Sequence, residues 1–320
     1  MLGRVARLFA SVDELAGQWN EAVAATDGAD LFCSSSVWSF AAASSFPLAE
    51  PPTVLAEGGA FYGVRRVAAE AGLLLGLDPI WGFATPVVGP SAAGAQLVAG
   101  RLRTRDWDVA ALTGQARGMP MTEALISALG DRFVLGVGPE ESRLRADLTG
   151  GVEAWTVRRS SRFRQRLRQI EERATSAGVD VEDASGHTVD DLLARVIGIE
   201  RRSWKGEEGT GLADPHLVTF YRHMLRRLQP TGGVRALVAR LDGEDVGYVL
   251  GGVCGATYRG FQLSHARSAG SLGVGHLLQL HEVRRAAAEG LATYDLGMAM
   301  PYKQRWADRV DTTFTLVVRR

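Results

Sequence analysis

The sequence predicts an α/β protein of the α+β type. It is expected to hold two domains in tandem, each a mixed, mostly antiparallel sheet flanked by helices. Its 320 residues suit two domains of ordinary size. In the second half, Asp242-Gly243 joins two strand-like runs and gives a strong hairpin signal. Both halves follow one order of elements: antiparallel strands, a turn marked by Gly or Pro, then helix, strand, helix and strand.

Periodicity in the first half predicts the elements that fill this order. Helices are expected at 12–25, 92–102 and 121–129, and strands at 53–56, 61–67, 72–77, 109–113 and 132–137. The segment 139–151 carries Pro, Gly and charged residues, which favours a linker. We therefore expect an N-terminal domain at 1–150 and a C-terminal domain at 151–320 that carries the active site.

The second half is predicted to open with a helix capped by Ser160 or Ser161 and ended by Gly178. Apolar residues recur along it at helical spacing: Phe163, Leu167, Ile170 and Ala174. Further helices are expected at 189–203, at 215–228, directly after the glycine turn, and near 301–308. Strands are expected at 234–241, 245–253, 256–266, 292–297 and 312–318. The pattern therefore predicts a helical start and a sheet that fills the rest of the domain.

Composition excludes several classes of protein. No run of about eighteen uncharged apolar residues occurs, so no membrane span is expected. The start of the chain lacks the features of a signal peptide. Cys33 and Cys254 do not form a disulfide framework, which favours the cytoplasm. The net charge is zero, which argues against a generic nucleic-acid coat and against DNA as a partner.

The turn GSLGVG at 270–275 is the main chemical signal. A glycine-rich turn that opens a helix leaves backbone N–H groups free, and the helix dipole favours an anion there. Gly270, Gly273, Val274 and Gly275 are therefore candidates for holding the phosphates of a cofactor. His276 stands where a phosphate-binding loop of the Walker type needs Lys, so that motif is excluded. A tight turn that merely packs the helix on a sheet explains the spacing equally well.

Arginines crowd the start of the second domain. Arg158, Arg162 and Arg166 recur every four residues, which predicts a cationic ribbon on one helix face. Such a ribbon could meet a CoA phosphate, a nucleotide-linked acceptor or the backbone of a tRNA. The alternative is a solvated helix face that keeps the protein in solution.

Lysine is nearly absent, since only Lys205 and Lys303 occur among 36 basic side chains. An ammonium and a guanidinium are not interchangeable, so the two retained lysines are candidate site residues. Trp204 and Lys205 are expected to end a helix before the loop GEEGTG, which could fold over an acceptor. A core tryptophan beside a solvated lysine is the alternative. For Lys303 the alternative is a surface ion pair with Asp295 or Asp308.

Metal ligation is not predicted, because the histidines are scattered and neither cysteine has the spacing of a zinc site. His265 follows the strand that carries Gln262 and Ser264, and it could reach the substrate cleft. An ordinary histidine at a strand end is the alternative.

Several pieces of the second half resemble the GNAT acetyltransferases. They are SWKGEEGTGL (203–212), LDGEDVGYVLGG (241–252), YRGFQLSHA (258–266), the glycine turn with its helix, and YDLGMAMPYKQRW (294–306). The likeness is strongest to the branch of the Fem peptidoglycan ligases and the CelD-like acetyltransferases, which pair two such domains. One position departs from the family, because Gly270 stands where the cofactor loop usually begins with Gln or Arg.

The resemblance implies two GNAT-like domains and an N-acyltransferase that moves an acetyl or longer acyl group from acyl-CoA to an amine. The acceptor is expected to be a small molecule or peptide-like. Fem relatives use aminoacyl-tRNA instead, so a tRNA-dependent ligase remains an alternative, and a non-catalytic binding protein is a second one. The resemblance makes Lys303 the candidate catalytic residue. Tyr302 is expected to donate a proton or to pack in the core. Backbone N–H groups near 262–264 are expected to meet the oxyanion.

Overall fold

The computed structural model describes residues 4–7, 12–46, 50–67 and 72–320. The chain divides into two compact units. Unit 1 comprises Met1–Glu141 together with Thr312–Arg320, and unit 2 comprises Ser142–Asp311. The last strand therefore belongs to the first unit, whereas the sequence-based domains were drawn at 1–150 and 151–320.

Helices alternate with strands in the first part of the chain. The helices are α1 (Val12–Ala24), α2 (Ser36–Ser45), α3 (Ser91–Arg101) and α4 (Pro120–Leu129). The strands are β1 (Arg4–Arg7), β2 (Thr53–Glu57), β3 (Ala60–Arg66), β4 (Leu73–Leu75), β5 (Val87–Val88), β6 (Val109–Gln115) and β7 (Val134–Asp147). The expected helices and strands of this half are thus present, with bounds that differ by a few residues.

The remaining elements follow the predicted order. The helices are α5 (Gly151–Val157), α6 (Ser161–Ser176), α7 (Val189–Glu200), α8 (Trp204–Glu207), α9 (Pro215–Leu228) and α10 (Val274–Ala288). The strands are β8 (Asp180–Asp183), β9 (Val234–Leu241), β10 (Glu244–Cys254), β11 (Thr257–His265), β12 (Thr293–Met298) and β13 (Arg309–Arg319). Short 3-10 turns cover Gly211–Ala213, Gln229–Thr231, Arg267–Leu272 and Pro301–Lys303.

Two expectations about elements were wrong. The segment 139–151 is not a linker, because β7 runs through it to Asp147. Leu144 and Ala146 are buried on alternate positions of that strand, and this burial outweighs the local Pro and Gly. The helix expected near 301–308 is a single 3-10 turn, Pro301–Lys303.

The sheets of the two units repeat one pattern. In unit 1 the strand order is β1-β2-β3-β4-β6-β13, and in unit 2 it is β8-β9-β10-β11-β12-β7. In each sheet the first four strands pair antiparallel, and the fourth and fifth strands pair parallel, β4 with β6 and β11 with β12. The sixth strand, β13 in unit 1 and β7 in unit 2, pairs antiparallel with the fifth. A crossover helix links each parallel pair, α3 in unit 1 and α10 in unit 2. The predicted repeat of strands and crossover helix is therefore confirmed, whereas the second helix of the predicted order is present as α4 in unit 1 and is only the 3-10 turn Pro301–Lys303 in unit 2.

Helix α6 forms as its sequence predicts. The Ser160 hydroxyl accepts a hydrogen bond from the Phe163 N–H and caps the helix. Its apolar face is buried, at about 1.5–3 kcal/mol for each large side chain. The buried residues are Phe163, Leu167, Ile170 and Ala174. Ile170 and Ala174 pack against Leu277 of α10, so the arginine-bearing helix lies along the helix that opens at the glycine turn.

Candidate active site

Strand β11 parts from β12 halfway along its length. The parallel register between them ends at Arg259 opposite Asp295. On its other side β11 stays paired with β10, with an irregularity that makes Phe261 the extra residue. Beyond Arg259, one edge of β11 over 260–264 therefore has no partner in β12, and within this stretch the Leu263 carbonyl accepts a hydrogen bond from Lys205. This is the splayed strand expected near 262–264.

The first turn of α10 stands beside this open edge. Gly273 has a φ of 75°, a left-handed conformation that suits glycine, and it caps the helix. His276 and Leu277 already donate their N–H groups to the Gly273 carbonyl. The N–H groups of Val274 and Gly275 belong to the set that an α-helix leaves without an internal acceptor. Gly275 lies close to the His265 ring, since a methyl group added there would be 3.2 Å from its Cδ2.

An open cationic groove of about 740 Å³ lies along the exposed face of α6. Four arginines line it: Arg162, Arg166, Arg173 and Arg305. None of the four forms an ion pair with an acidic residue in the described ranges. Ile170 lines the groove and also borders the start of α10, because a methyl group added at Gly273 would lie 3.2 Å from it. The groove therefore reaches the opening turn of α10, where burial and then the charges of Arg166 and Arg305 lower the pKa of His276.

Arg158 does not join this groove, although the four-residue spacing predicted that it would. It follows α5 and precedes the capped start of α6, so the helical spacing does not extend to it. Its Nε donates to Asp308 Oδ1 at 3.0 Å, and its Nη2 donates to the Asp147 carbonyl. Arg158 therefore holds the chain entering α6, and Arg173 and Arg305 extend the ribbon instead.

Both lysines of the chain lie near the open end of β11. Lys205 Nζ donates to Gln262 Oε1 at 3.1 Å and to the Leu263 carbonyl at 3.0 Å. Lys303 Nζ donates to the Met298 carbonyl at 3.1 Å. Burial lowers the pKa of Lys303 to about 8, with further lowering by Arg259 and Lys205. The sequence singled these two residues out by the rarity of lysine and by the family resemblance, and the fold brings their charges within range of each other.

The surroundings of Lys303 agree with a side chain that is not a simple surface cation. It forms no ion pair with Asp295 or Asp308 among the described residues, so the alternative drawn from the sequence is not observed. A methyl group added at Gly297 would lie 3.8 Å from Lys303 Nζ and 3.9 Å from Arg259 Nη2. Tyr302 is 54% exposed, so its expected place in the core was wrong. Lys303 Nζ lies 5.8 Å from the centre of the Tyr302 ring.

Asp295 anchors the last paired position of β12. This buried carboxylate accepts from Arg259 Nη1 at 2.7 Å and lies 3.4 Å from Arg145 Nε. Burial alone would raise the pKa of Asp295, but the arginines hold it below its usual range, Arg259 most strongly and then Arg143. The cluster fixes the strand end from which the two strands diverge. Three arginines spaced over more than a hundred residues gave no signal in the sequence.

The segment around Trp204 differs from the sequence prediction. Helix α7 ends at Glu200, and Trp204 and Lys205 begin the short helix α8 rather than ending a helix. Trp204 is 49% exposed, so it is not a core residue. Gln262 links Lys205 to a third group, because its Nε2 donates to the Tyr221 hydroxyl at 3.1 Å. Tyr221, on α9, was not predicted as a site residue.

The described residues contain neither a membrane-spanning helix nor a metal site. No helix in these ranges has both the length and the apolar content needed to cross a bilayer. Nor do three or more His, Cys, Asp or Glu side chains come together there as a set able to hold a metal ion.

Comparison with known proteins finds a family model that matches part of the chain. The model, described as an acetyltransferase (GNAT) domain, matches residues 161–304, a little under half of the sequence. This part of the chain is therefore similar to a GNAT domain. The matched span contains the splayed strand, the glycine turn and both lysines. No curated protein matches the sequence.

Solved structures extend the GNAT fold over both units. The chain is similar to FemX, with 11% identity, a TM-score of 0.65 and coverage of 93% of this chain and 95% of FemX. A tandem GNAT protein from the clavulanic acid biosynthesis pathway matches at 15% identity and a TM-score of 0.52, covering 99% and 98% of the two chains. The C-terminal domain of a putative lysylphosphatidylglycerol synthetase from Agrobacterium fabrum matches at 15% identity and 0.55, covering 84% of each. The tandem GNAT fold is therefore confirmed.

Proposed function

We propose that this protein is an N-acyltransferase that transfers an acetyl or longer acyl group from acyl-CoA to an amine. The observation that carries the proposal is the open edge of β11 beside the first turn of α10. The edge offers backbone hydrogen bonds to the extended chain of the acyl-CoA, and the start of the helix offers N–H groups and its dipole to the phosphates of the CoA. Gly270, Gly273, Val274 and Gly275 form the donor turn, and Arg162 and Arg166 flank it.

The proposed reaction needs little covalent participation by the protein. The neutral amine of the acceptor forms the new C–N bond, the thioester C–S bond breaks, and the proton of the amine leaves with sulfur as a thiol. Backbone N–H groups of the open edge near Gln262 and Ser264, together with the Lys303 ammonium, stabilise the negative charge that develops on the carbonyl oxygen. Tyr302, exposed beside Lys303, is the proposed proton donor to the leaving sulfur.

The arginine groove supplies a cation that the turn itself lacks. The family pattern has Gln or Arg at the position of Gly270, and here that position has no side chain. Arg166 and Arg305 act on His276 in the first turn of α10, so their charge reaches the same helix start. We propose that these two guanidinium groups replace the missing side chain in binding the donor phosphates.

Calorimetric titration of the full chain with CoA and acetyl-CoA tests the proposal. Replacing Arg166 and Arg305 by Gln is expected to weaken CoA binding about tenfold or more, since hydrogen bonds to charged groups contribute about 1.5–3 kcal/mol each. The matched control is Arg168→Gln, an exposed arginine on the same helix that does not line the groove. Absence of CoA binding, or equal losses in the variant and the control, would contradict this donor site.

A tRNA-dependent ligase is the second candidate, and the length of the groove favours it. Arg162, Arg166 and Arg173 extend along α6 well past the first turn of α10. A polyanion contacting all three would show a steep salt dependence, with about one unit of log–log slope for each phosphate contact. The test replaces Arg162, Arg166 and Arg173 together by Gln. Binding of aminoacyl-tRNA with a salt dependence that becomes less steep in this variant would favour the ligase over an acyl-CoA-dependent enzyme. Donor binding without any turnover would favour the non-catalytic alternative.

The acceptor in this proposal is a small molecule or peptide-like amine. Trp204, Lys205 and His265 are proposed acceptor contacts, since all three lie on segments beside the open strand end. We also propose a cytoplasmic location, where acyl-CoA and aminoacyl-tRNA are made. The free thiols of Cys33 and Cys254 are compatible with that compartment.

A further inference from the structure

A second cavity opens between α7 and α9, away from the arginine groove. Its volume is about 490 Å³, within the range of about 300–1,000 Å³ usual for small-molecule sites. Ile197, Leu212 and Val218 give it apolar walls. Glu200 and Arg201 give it one carboxylate and one guanidinium. The cavity therefore combines an apolar body with two opposite charges.

Glu200 is a buried carboxylate without a direct ion pair. It is 1% exposed, and no Lys, Arg or His nitrogen of the described residues lies within ion-pair distance of its oxygens. The nearby cation is Lys205, whose pKa is lowered by burial and raised in part by the charge of Glu200. The hydrogen bonds of Glu200 are long: 3.2 Å from the Tyr248 hydroxyl, 3.4 Å from the Leu212 N–H and 3.5 Å from the Ser203 hydroxyl. Burial, and then the charge of Glu200, raises the pKa of Tyr248 well above its usual value, so the hydroxyl stays a donor. A buried charge is costly unless it is paired, and an ammonium in the cavity would pair it.

Arg201 provides the opposite charge at the solvent side of the cavity. It is exposed and forms no ion pair within the part of the chain that the structure describes. Arg222, which also lines the cavity, is already paired with Asp190 at 3.1 Å. Arg201 is therefore the guanidinium available to an acidic group of a ligand.

The buried carboxylate lies next to the open strand. Tyr248 on β10 stands directly opposite Ser264 on β11, so their side chains share one face of the sheet. The Ser264 hydroxyl is buried and has no hydrogen-bond partner among the residues that the structure describes. A group bound at Glu200 is thus one side chain away from the strand where acyl transfer is proposed.

We propose that this cavity is the acceptor site and that it takes a zwitterion: an ammonium held by Glu200, an apolar side chain between the helices, and a carboxylate held by Arg201. For transfer, the Glu200 carboxylate takes one proton from the ammonium, and the neutral amine then forms the C–N bond. The acceptor class is that of free amino acids and short peptides with an unblocked N-terminus. The assignment of transfer to this site rests on the proposed function, whereas the binding itself does not.

The test uses three ligands that differ at one end each: leucyl-alanine, N-acetyl-leucyl-alanine and leucyl-alanine amide. Their affinities are measured by calorimetry on the full chain without any donor. We expect leucyl-alanine to bind, and each blocked form to bind about tenfold more weakly, because each loses one charged contact. Glu200→Gln keeps the shape of the side chain and should abolish the preference over the N-acetyl form. Arg201→Gln should abolish the preference over the amide.

Arg202→Gln is the matched control, because Arg202 is the next arginine in the loop, does not line the cavity and is paired with Glu244. It should keep both preferences. Melting temperatures show which variants fold, and the Arg201 comparison stands even where Glu200→Gln does not fold. Failure of leucyl-alanine to bind, or equal binding of all three ligands, overturns the proposal. Dipeptide binding by a chain that binds no donor would refute the acyltransferase and leave this site standing, and donor binding without dipeptide binding would do the reverse.

Discussion

Replacing Lys303 by Met tests whether this residue takes part in the reaction. The change keeps the length of the side chain and removes its charge and its hydrogen bond to the Met298 carbonyl. If the ammonium meets the developing oxyanion, turnover should fall about a hundredfold or more, as it does when an oxyanion donor is lost. That fall corresponds to roughly 2.7 kcal/mol of transition-state stabilisation. Single-turnover rates measured with saturating acyl donor give the number directly.

The pKa of Lys303 gives the same prediction a pH dependence. Its folded pKa of about 8 lies below the usual value of 10.5, so the ammonium is lost as the pH rises through about 8. The part of the rate that depends on the ammonium should decline there in the parent and be absent from the pH profile of the variant. For stability the sign is opposite: the unfolded chain binds the proton more tightly between about pH 8 and 10.5, so the parent gains stability with rising pH in that window.

Removing a partly desolvated charge should therefore leave the melting temperature of Lys303→Met unchanged or higher at pH 7. The matched control is Gln304→Met, which places the same side chain at the next, exposed position. Turnover within a factor of about two of the parent would remove Lys303 from the reaction. So would an equal loss in the control variant.

Two further predictions concern the frame of the site. Asp295→Asn removes the buried anion that Arg259 and Arg145 contact and should lower the free energy of unfolding by about 3 kcal/mol or more, whereas Asp180→Asn on the surface should not. Thermal or urea unfolding measures the difference, and equal stability of the two variants would contradict the proposed anchor. Gly247→Ala places a methyl group 2.5 Å from Val274 Cγ1 and should push α10 away from the sheet. The expected loss in the free energy of unfolding is about 1–3 kcal/mol. The control is Gly198→Ala on α7, whose added methyl group meets nothing within 4 Å and should leave stability unchanged or higher. A stable Gly247→Ala protein with unchanged donor affinity would show that this close packing does not position the helix start.

A substitution at Gly273 would not separate donor binding from folding. Its φ is positive, and a methyl group added there would lie 3.2 Å from Ile170 of α6. Gly273→Val therefore strains the packing of two helices before any ligand is considered. Gly270 is the better position for probing the turn, because it is exposed and a methyl group there would be 3.5 Å from the His265 ring.

Sequence patterns predicted the elements whose burial has a clear period. Helix α6 alternates apolar and arginine positions, and the strands of the β9–β11 meander are punctuated by Asp242-Gly243 and Gly255. Helix α2 was missed because it is buried on nearly all sides, from Trp38 to Ser45, and so has no polar face to mark a period. The first part of β7 was predicted at 132–137, whereas its continuation to Asp147 was missed because the segment 139–151 carries Pro, Gly and charged residues.

The site was predictable only where a residue was unusual for this chain. The rarity of lysine identified Lys205 and Lys303, and the glycine turn identified the start of α10. Glu200 and Tyr248 are 48 residues apart in the sequence, and their side chains form a hydrogen bond only because β10 packs against α7. One local signal did exist, because Glu200 follows Val196 and Ile199 on the buried face of α7, where an acidic residue is out of place.

The sixth strand of each sheet has a consequence for synthesis of the chain. Strand β13, which pairs with β6, is synthesised after the whole of unit 2, so the first sheet has an unpaired edge while unit 2 is being made. Strand β7, which pairs with β12, is made before the rest of the second sheet. A cut between residues 150 and 151 would leave neither fragment with its full set of strands. Completion of the first unit thus depends on synthesis of the second, and loss of β13 would first damage the N-terminal unit.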